Sequence, residues 1–223
     1  MDSSIKHAII NGSTGDGWYP LGTDRLERSL IYHGFNGDFI KHYNWPNDIY
    51  DKSVKYNIKA AIFGEVPISY THVLWLDCSV WAIKDPNPIF DVINEKGYYF
   101  WSSGYNCAQT CSDKCLKYFN VSRDEAELMT DVSTSMFGIN YNHPLGKEFI
   151  NRWLKSAWDG QFGGSRLHDN QSQDTRFLFH RQDQSCASII ANQLKMEITP
   201  PGVLSEYYNE SPSKSTIFLM RGI

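Results

Sequence analysis

Asp77 is the residue whose position most clearly suggests chemistry, because it directly follows the continuous apolar run Val73–Leu76. Such a run predicts a central strand that is covered on both faces. Open α/β sheets bind ligands at the carboxyl ends of their strands, and a buried charge needs a partner there. Carboxylate oxygens suit Mg²⁺ or Mn²⁺. The position predicts a metal and phosphate site, with a helix cap or a surface turn as the alternative.

A second acid, Asp183, begins a predicted helix within the run His180–Ser185. The free N–H groups at a helix N-terminus stabilise a charged carboxylate. Such a carboxylate could position a hydroxyl group or accept its proton. A plain N-cap is the alternative interpretation.

The glycine-containing loop Asn11–Tyr19 follows the first predicted strand. Glycines there let backbone N–H groups approach a nucleotide. Gly12 and Gly17 have the spacing of a P-loop, but Trp18 stands where the lysine must be, and the loop does not fit G-x-G-x-x-G. The pattern therefore disfavours a P-loop and a dinucleotide site, and a flexible turn remains the alternative.

Strand and helix patterns alternate along the chain and predict an α/β fold with a central, mostly parallel mixed sheet flanked by helices. The predicted strands are His7–Ile10, Asp38–Tyr43, Thr71–Asp77, Tyr98–Ser102, Ser135–Asn140 and Thr216–Met220. The predicted helices are 24–34, capped by Asp24 with Glu27, then Lys52–Phe63, Pro88–Lys96, Pro144–Ser156 and Asp183–Leu194. The segment Cys107–Thr130 is predicted to be mostly helical, and 159–174 to be a polar loop that holds His168 and Asp169.

Composition limits the classes of function. The 223 residues carry a net charge of −4 without a run of Lys or Arg, which disfavours a nucleic-acid partner. No apolar stretch approaches the roughly 18 residues of a membrane span, and the first ten residues lack the apolar region of a secretory signal. Together with five cysteines in no disulfide framework, this predicts a cytoplasmic protein with reduced thiols. Cys107, Cys111 and Cys115 are spaced four apart but match no zinc module.

The segment Val73–Trp81 resembles the DxD region of GT-A glycosyltransferases, in which an apolar strand ends in Asp-x-Asp. Here Ser79 stands in place of the second acid. Arg181–Ser185 is similar to the Arg-x-Asp-Gln-Ser run late in several GT-A families. Lys59 is placed like a lysine that precedes the DxD strand, and Arg221 lies where many families have a metal-binding histidine. The chain also resembles the small stand-alone glycosyltransferases of chlorella viruses, whose setting would be the host cytoplasm.

The resemblance implies a single GT-A domain over 1–223, with a nucleotide-binding half at 1–103 and an acceptor half at 104–223. It implies transfer of a sugar from a UDP-sugar to an acceptor hydroxyl, with Mn²⁺ or Mg²⁺ as cofactor and a glycan or glycoprotein as acceptor. The implied roles are donor and metal binding by Asp77 with Cys78 and Ser79, nucleotide binding by Asn11, Gly12, Ser13 and Tyr19, phosphate contacts by Lys59 and Arg221, and catalysis by Asp183.

Two other functions remain open at this stage. A sugar-nucleotide pyrophosphorylase shares the architecture, although Gly22–Arg25 matches its Gly-x-Gly-Thr-Arg motif poorly. A non-catalytic nucleotide-sugar-binding domain would account for Ser79 in the degenerate motif, since fold alone does not fix function.

Overall fold

The computed structural model describes residues 6–15, 17–163 and 172–221. The strands are β1 His7–Gly12, β2 Asp38–His42, β3 His72–Leu76, β4 Val80–Ala82, β5 Tyr98–Tyr99, β6 Ser102–Asn106, β7 Thr130–Val132, β8 Met136–Asn140, β9 Ser205–Tyr207 and β10 Phe218–Met220. The helices are α1 Tyr19–Tyr32, α2 Asn57–Gly64, α3 Pro88–Lys96, α4 Cys107–Thr110, α5 Asp113–Tyr118, α6 Arg123–Glu127, α7 Pro144–Trp158 and α8 Asp183–Gln193.

A five-stranded mixed sheet in the order β2–β1–β3–β8–β5 forms the centre of the fold. β1 is parallel to β2 and to β3, whereas β8 is antiparallel to both β3 and β5. Four of the five strands therefore run in one direction, which confirms the predicted mixed, mostly parallel sheet. Ile10 pairs with Trp75, so the loop after β1 and the turn that carries Asp77 leave the sheet side by side.

The sheet is covered on both faces because strand residues point alternately to opposite sides. Val73 and Trp75 pack in one buried cluster with residues of α2, α7 and α8. Leu74 and Leu76 pack in a second cluster with residues of α1 and α3. All five residues of β3 are buried, as its continuous apolar sequence predicts.

A smaller sheet closes the carboxyl edge beyond Asp77. β10 pairs antiparallel with β4 and parallel with β9. The N–H of Arg221, just after β10, donates to the carbonyl of Ser79 at 2.9 Å. The last described residues of the chain are therefore held against the turn that follows β3.

Several predicted boundaries were wrong. α1 begins at Tyr19 rather than Asp24, because Pro20 is well suited to a first helical turn. α2 begins at Asn57 rather than Lys52, since the Asp51 carboxylate accepts the N–H of Ser53 and forms a turn there.

Two other predicted elements are divided. The strand predicted at 98–102 is split between β5 and β6. The helical segment from Cys107 contains three short helices, because Ser112 ends the first by capping the second. Cys107, Cys111 and Cys115 therefore do not share one helix, although all three are buried free thiols. The capping box of Ser122 with Glu125 is confirmed.

Candidate active site

Asp77 lies in a tight turn directly after β3. Its N–H donates to the carbonyl of Ser135 at 2.7 Å, and its own carbonyl accepts the N–H of Val80 at 2.9 Å. The indole N–H of Trp75, two residues back, donates to Asp77 Oδ1 at 2.7 Å. The Asp77 side chain is 32% exposed, so one edge of the carboxylate faces solvent.

Lys59 joins Asp77 to Asp183 across the site. Its Nζ lies 3.1 Å from Asp77 Oδ1 and 3.1 Å from Asp183 Oδ2, and it donates to the carbonyl of Thr134 at 3.0 Å. These three acceptors match the three donors of an ammonium group. Because Asp77 follows β3 and Asp183 begins α8, Lys59 connects two elements that are far apart in the sequence.

Lys59, Asp77 and Asp183 form a trio whose charges depend on one another. Burial by itself would lower the pKa of Lys59, but the carboxylates of Asp183 and Asp77 raise it to about 12. Burial raises the pKa of Asp183, while Lys59 opposes that shift. Lys59 therefore stays protonated at neutral pH. Its positive charge stabilises the carboxylate form of Asp183, whose side chain is only 3% exposed.

The N-terminus of α8 aims Asp183 inward. Gln182 precedes the helix with φ 47° and ψ −114°, and it makes no side-chain cap. Such a backbone conformation costs a non-glycine residue about 1–3 kcal/mol and often marks a functional site. Thr134 Oγ1 donates to Asp183 Oδ2 at 2.8 Å, and Trp153 Nε1 donates to the Asp183 carbonyl at 3.1 Å. Asp183 is therefore not the N-cap, which the sequence left open.

Behind α8, the buried carboxylate of Asp131 braces the helix. It accepts hydrogen bonds of 2.5–2.9 Å from the side chains of Ser103, Thr110, Gln184 and Ser188. Burial raises the pKa of Asp131 to about 6. Two of its donors lie on α8, and Gln184 is the neighbour of Asp183. Asp131 therefore fixes the start of α8 without lining the cavity.

The trio lines a cavity of about 270 Å³. Ser79, Arg181 and Tyr56 also line this cavity. A wider opening of about 640 Å³, lined by Tyr207, Tyr208 and Arg221, shares Ser79 and Met220 with it. The two spaces together offer a polar, charged cleft at the carboxyl edge of the sheet.

The residues of the first loop contribute in different ways. Asn11 is completely buried, and its amide donates to the carbonyl of Leu76 at 2.6 Å and accepts from Thr23 Oγ1 at 2.7 Å. These hydrogen bonds connect the ends of β1 and β3 to α1. The direct contact of Asn11 with a nucleotide stays a prediction. The hydroxyl of Ser13 is buried without a hydrogen-bond partner among the described residues. Tyr19 is 46% exposed and stacks on Trp18.

Close packing fixes the turn after Asp77 to α1. A Cβ added to Gly22 would lie 2.4 Å from the carbonyl oxygen of Cys78, which is tighter than any ordinary contact. Cys78 is 4% exposed, with its sulfur near Thr23, so it supports the turn from within. A Cβ on Gly12 would meet Cδ1 at the far end of the Ile62 side chain, which can shift, so this contact constrains the position less than the one at Gly22. Ser79 faces the cavity while Cys78 and Gly12 are positioned for packing.

Two arginines at this edge were not assigned a role from the sequence. Arg25 donates to the carbonyls of Cys78 and Arg221, both at 3.2 Å, and its guanidinium lies 4.4 Å from the ring centroid of Trp81. Arg181 is an exposed residue of the cavity wall, two residues before Asp183. Arg221, which the sequence did single out, lies over Tyr208 at 4.7 Å. The packing of α1 against β4 brings Arg25 to this edge.

The described side chains do not fit the expected Mn²⁺ or Mg²⁺ at Asp77. Asp77 Oδ1 already accepts from Trp75 and Lys59, which leaves Oδ2 as the one Asp77 oxygen for an ion beside a fixed positive charge, and Ser79 supplies no second carboxylate. Within residues 6–15, 17–163 and 172–221, no group of three or more His, Cys, Asp or Glu side chains could hold a metal ion. The metal stays a prediction. His168 and Asp169, the other loop candidates, lie outside the described residues.

Comparisons with known proteins give structural likeness only. No family model matches the chain, and a search of curated proteins finds no significant match. A glycosyltransferase involved in the glycosylation of the major capsid of PBCV-1 superposes with a TM-score of 0.55 at 12% identity, covering 96% of this chain and 92% of that one. Mouse xyloside xylosyltransferase 1 gives 0.56 at 10% identity, covering 97% of each chain. The bifunctional glycosyltransferase WbbM gives 0.54 at 10% identity, covering 99% of this chain but 46% of that one.

The chain has the fold of these glycosyltransferases. The predicted fold class is therefore confirmed, and the low identity carries no residue roles across. No helix in the described part of the chain is long and apolar enough to cross a membrane. The division into halves at 103 and 104 and the assigned site residues remain predictions.

Proposed function

We propose that this protein transfers a sugar from a nucleotide-sugar donor to an acceptor hydroxyl group. The observation that carries the proposal is the meeting of Asp77 and Asp183 around Lys59 in one cavity at the carboxyl edge of the sheet. Sheets of this kind bind ligands at that edge. The likeness to glycosyltransferase folds adds support from a second direction.

A UDP-sugar is the proposed donor. Its diphosphate would lie near Ser79, with Arg181 and Arg221 on the walls of the two connected spaces. Arginine pairs well with phosphate oxygens because its donors form a planar fork. The exposed stacked pair Trp18 and Tyr19 would offer a surface for the base.

Asp183 is the proposed catalytic residue. Its carboxylate is held by Thr134 and Lys59 and lines the cavity, so its direction is fixed before a substrate binds. A carboxylate fixed in this way can orient the reacting hydroxyl or accept its proton. The acceptor would be a glycan or glycoprotein, in keeping with the capsid glycosylation described for the PBCV-1 relative.

The test is an incubation with a panel of UDP- and GDP-sugars, with the released nucleotide and phosphate products separated by chromatography. Release of a nucleoside diphosphate supports glycosyl transfer or donor hydrolysis. Formation of a nucleoside triphosphate and a sugar 1-phosphate, only when pyrophosphate is added, would indicate a pyrophosphorylase. Asp183→Asn should lower turnover at least about 100-fold, the lower end expected for losing an acid–base group. Asp91→Asn, a change at an exposed acid on α3, is the matched control. Equal turnover by Asp183→Asn and wild type would exclude the proposed role.

A further inference from the structure

Lys59 occupies the place between the two acids of the site where a cation is needed. Its side chain is 9% exposed, and all three donors have an acceptor within 3.1 Å. The ammonium also lies 5.4 Å from the ring centroid of Trp75, which limits its movement further. The folded protein therefore holds the positive charge of Lys59 at a fixed position between the two acids.

One oxygen of each carboxylate is correspondingly occupied. Asp77 Oδ1 accepts from Trp75 and contacts Lys59, while Asp183 Oδ2 accepts from Thr134 and contacts Lys59. A divalent ion at the other oxygens of these carboxylates would lie close to the Lys59 ammonium and would be repelled by it. Ser79 adds only a neutral hydroxyl to this set.

The basic residues around the cleft suit a diphosphate. Lys59 and Arg181 line the cavity, Arg221 lines the opening beside it, and Arg25 flanks the turn between them. The three cations that line the two spaces exceed the acids Asp77 and Asp183 by one, and Arg25 beside the turn raises the formal charge to +2. The diphosphate of a nucleotide sugar carries two negative charges, so the protein alone can balance it.

We propose that Lys59, together with Arg181, replaces the divalent cation, so that this site binds the donor's diphosphate without a metal ion. The inference rests on the proposed glycosyl transfer and states what kind of site performs it. The basic side chains then stabilise the charge that develops on the departing diphosphate, a role that preorganised cations can fill.

The test is calorimetry of the full chain with UDP and with GDP, each in EDTA, in Mg²⁺ and in Mn²⁺. Binding in EDTA with a Kd within about twofold of the value in Mn²⁺ is the expected result. Binding only with a metal ion would overturn the inference while leaving the proposed function intact. No binding under any condition would overturn both.

Variants of Arg181 and Lys59 test whether these residues provide the binding that is independent of metal ions. Arg181→Gln changes an exposed side chain and should leave the fold intact, yet weaken nucleotide binding in EDTA at least tenfold. Lys59→Met should weaken it similarly and make the remaining binding depend on Mn²⁺, because the freed carboxylates can then hold the ion. Lys55→Met, at an exposed lysine just before α2, is the matched control. Unchanged binding in EDTA by both Arg181→Gln and a folded Lys59→Met would contradict the inference.

Discussion

Replacing Lys59 by methionine should destabilise the protein far more than a typical lysine replacement. The ammonium contacts Asp77 and Asp183 at 3.1 Å and the Thr134 carbonyl at 3.0 Å, and methionine keeps the chain length while removing all three contacts. Removing one partner of a buried ion pair costs about 3–5 kcal/mol, because the other charge stays buried without compensation.

The two acids should not contribute equally to that loss. The side chain of Asp77 is 32% exposed, so water can solvate its carboxylate, whereas that of Asp183 is 3% exposed. Most of the penalty therefore falls on Asp183. We expect a loss of about 4 kcal/mol, which for a chain of this size lowers Tm by roughly 10 °C.

Urea unfolding followed by tryptophan fluorescence and circular dichroism measures this loss, with Lys55→Met as the control expected to lie within about 0.5 kcal/mol of wild type. The double variant Lys59→Met with Asp183→Asn should recover part of the loss, because the uncompensated charge is gone. We expect a coupling energy of about 2 kcal/mol. Strictly additive effects, or a Lys59→Met variant as stable as Lys55→Met, would show that the trio does not act as a buried ionic unit.

Two further changes test the surroundings of the site. Because the pKa of Asp131 rises to about 6 on folding, the folded state holds its proton longer than the unfolded state, so the free energy of unfolding should fall as pH rises from about 4 to 6. A pKa shift of about two units corresponds to about 3 kcal/mol of unfolding free energy. Asp131→Asn should remove this part of the pH dependence measured in urea titrations. An unchanged pH dependence would contradict the assignment. Gly22→Ala should cost about 2 kcal/mol by pushing α1 away from Cys78. Gly64→Ala, at a helical glycine with open space around it, should be neutral or stabilising by up to about 1 kcal/mol, and similar unfolding curves for the two variants would argue against the close contact.

Much of the architecture follows from local sequence patterns. The buried strand β3 and the helices α3 and α7 were predicted within one or two residues, because an apolar run, an N-terminal proline and the apolar helix face of α7 are local signals. The start of α1 and the divisions around β5 and α4 were missed. There, capping and turn side chains compete with helix or strand propensity, and the outcome depends on what the segment packs against.

The sequence by itself singled out Asp77, Lys59 and Asp183 as separate candidates and placed Asp77 at the end of a central strand. Only the tertiary structure decided that Lys59 lies between the two acids, because their spacing across α2, β3 and α8 is set by helix packing on the sheet. The same packing brings Arg25 to the carbonyls of Cys78 and Arg221, which no local pattern encodes. Charged groups that are distant in the chain acquire their partners only when the core packs. The candidate residues could therefore be predicted from the sequence, but their pairing could not.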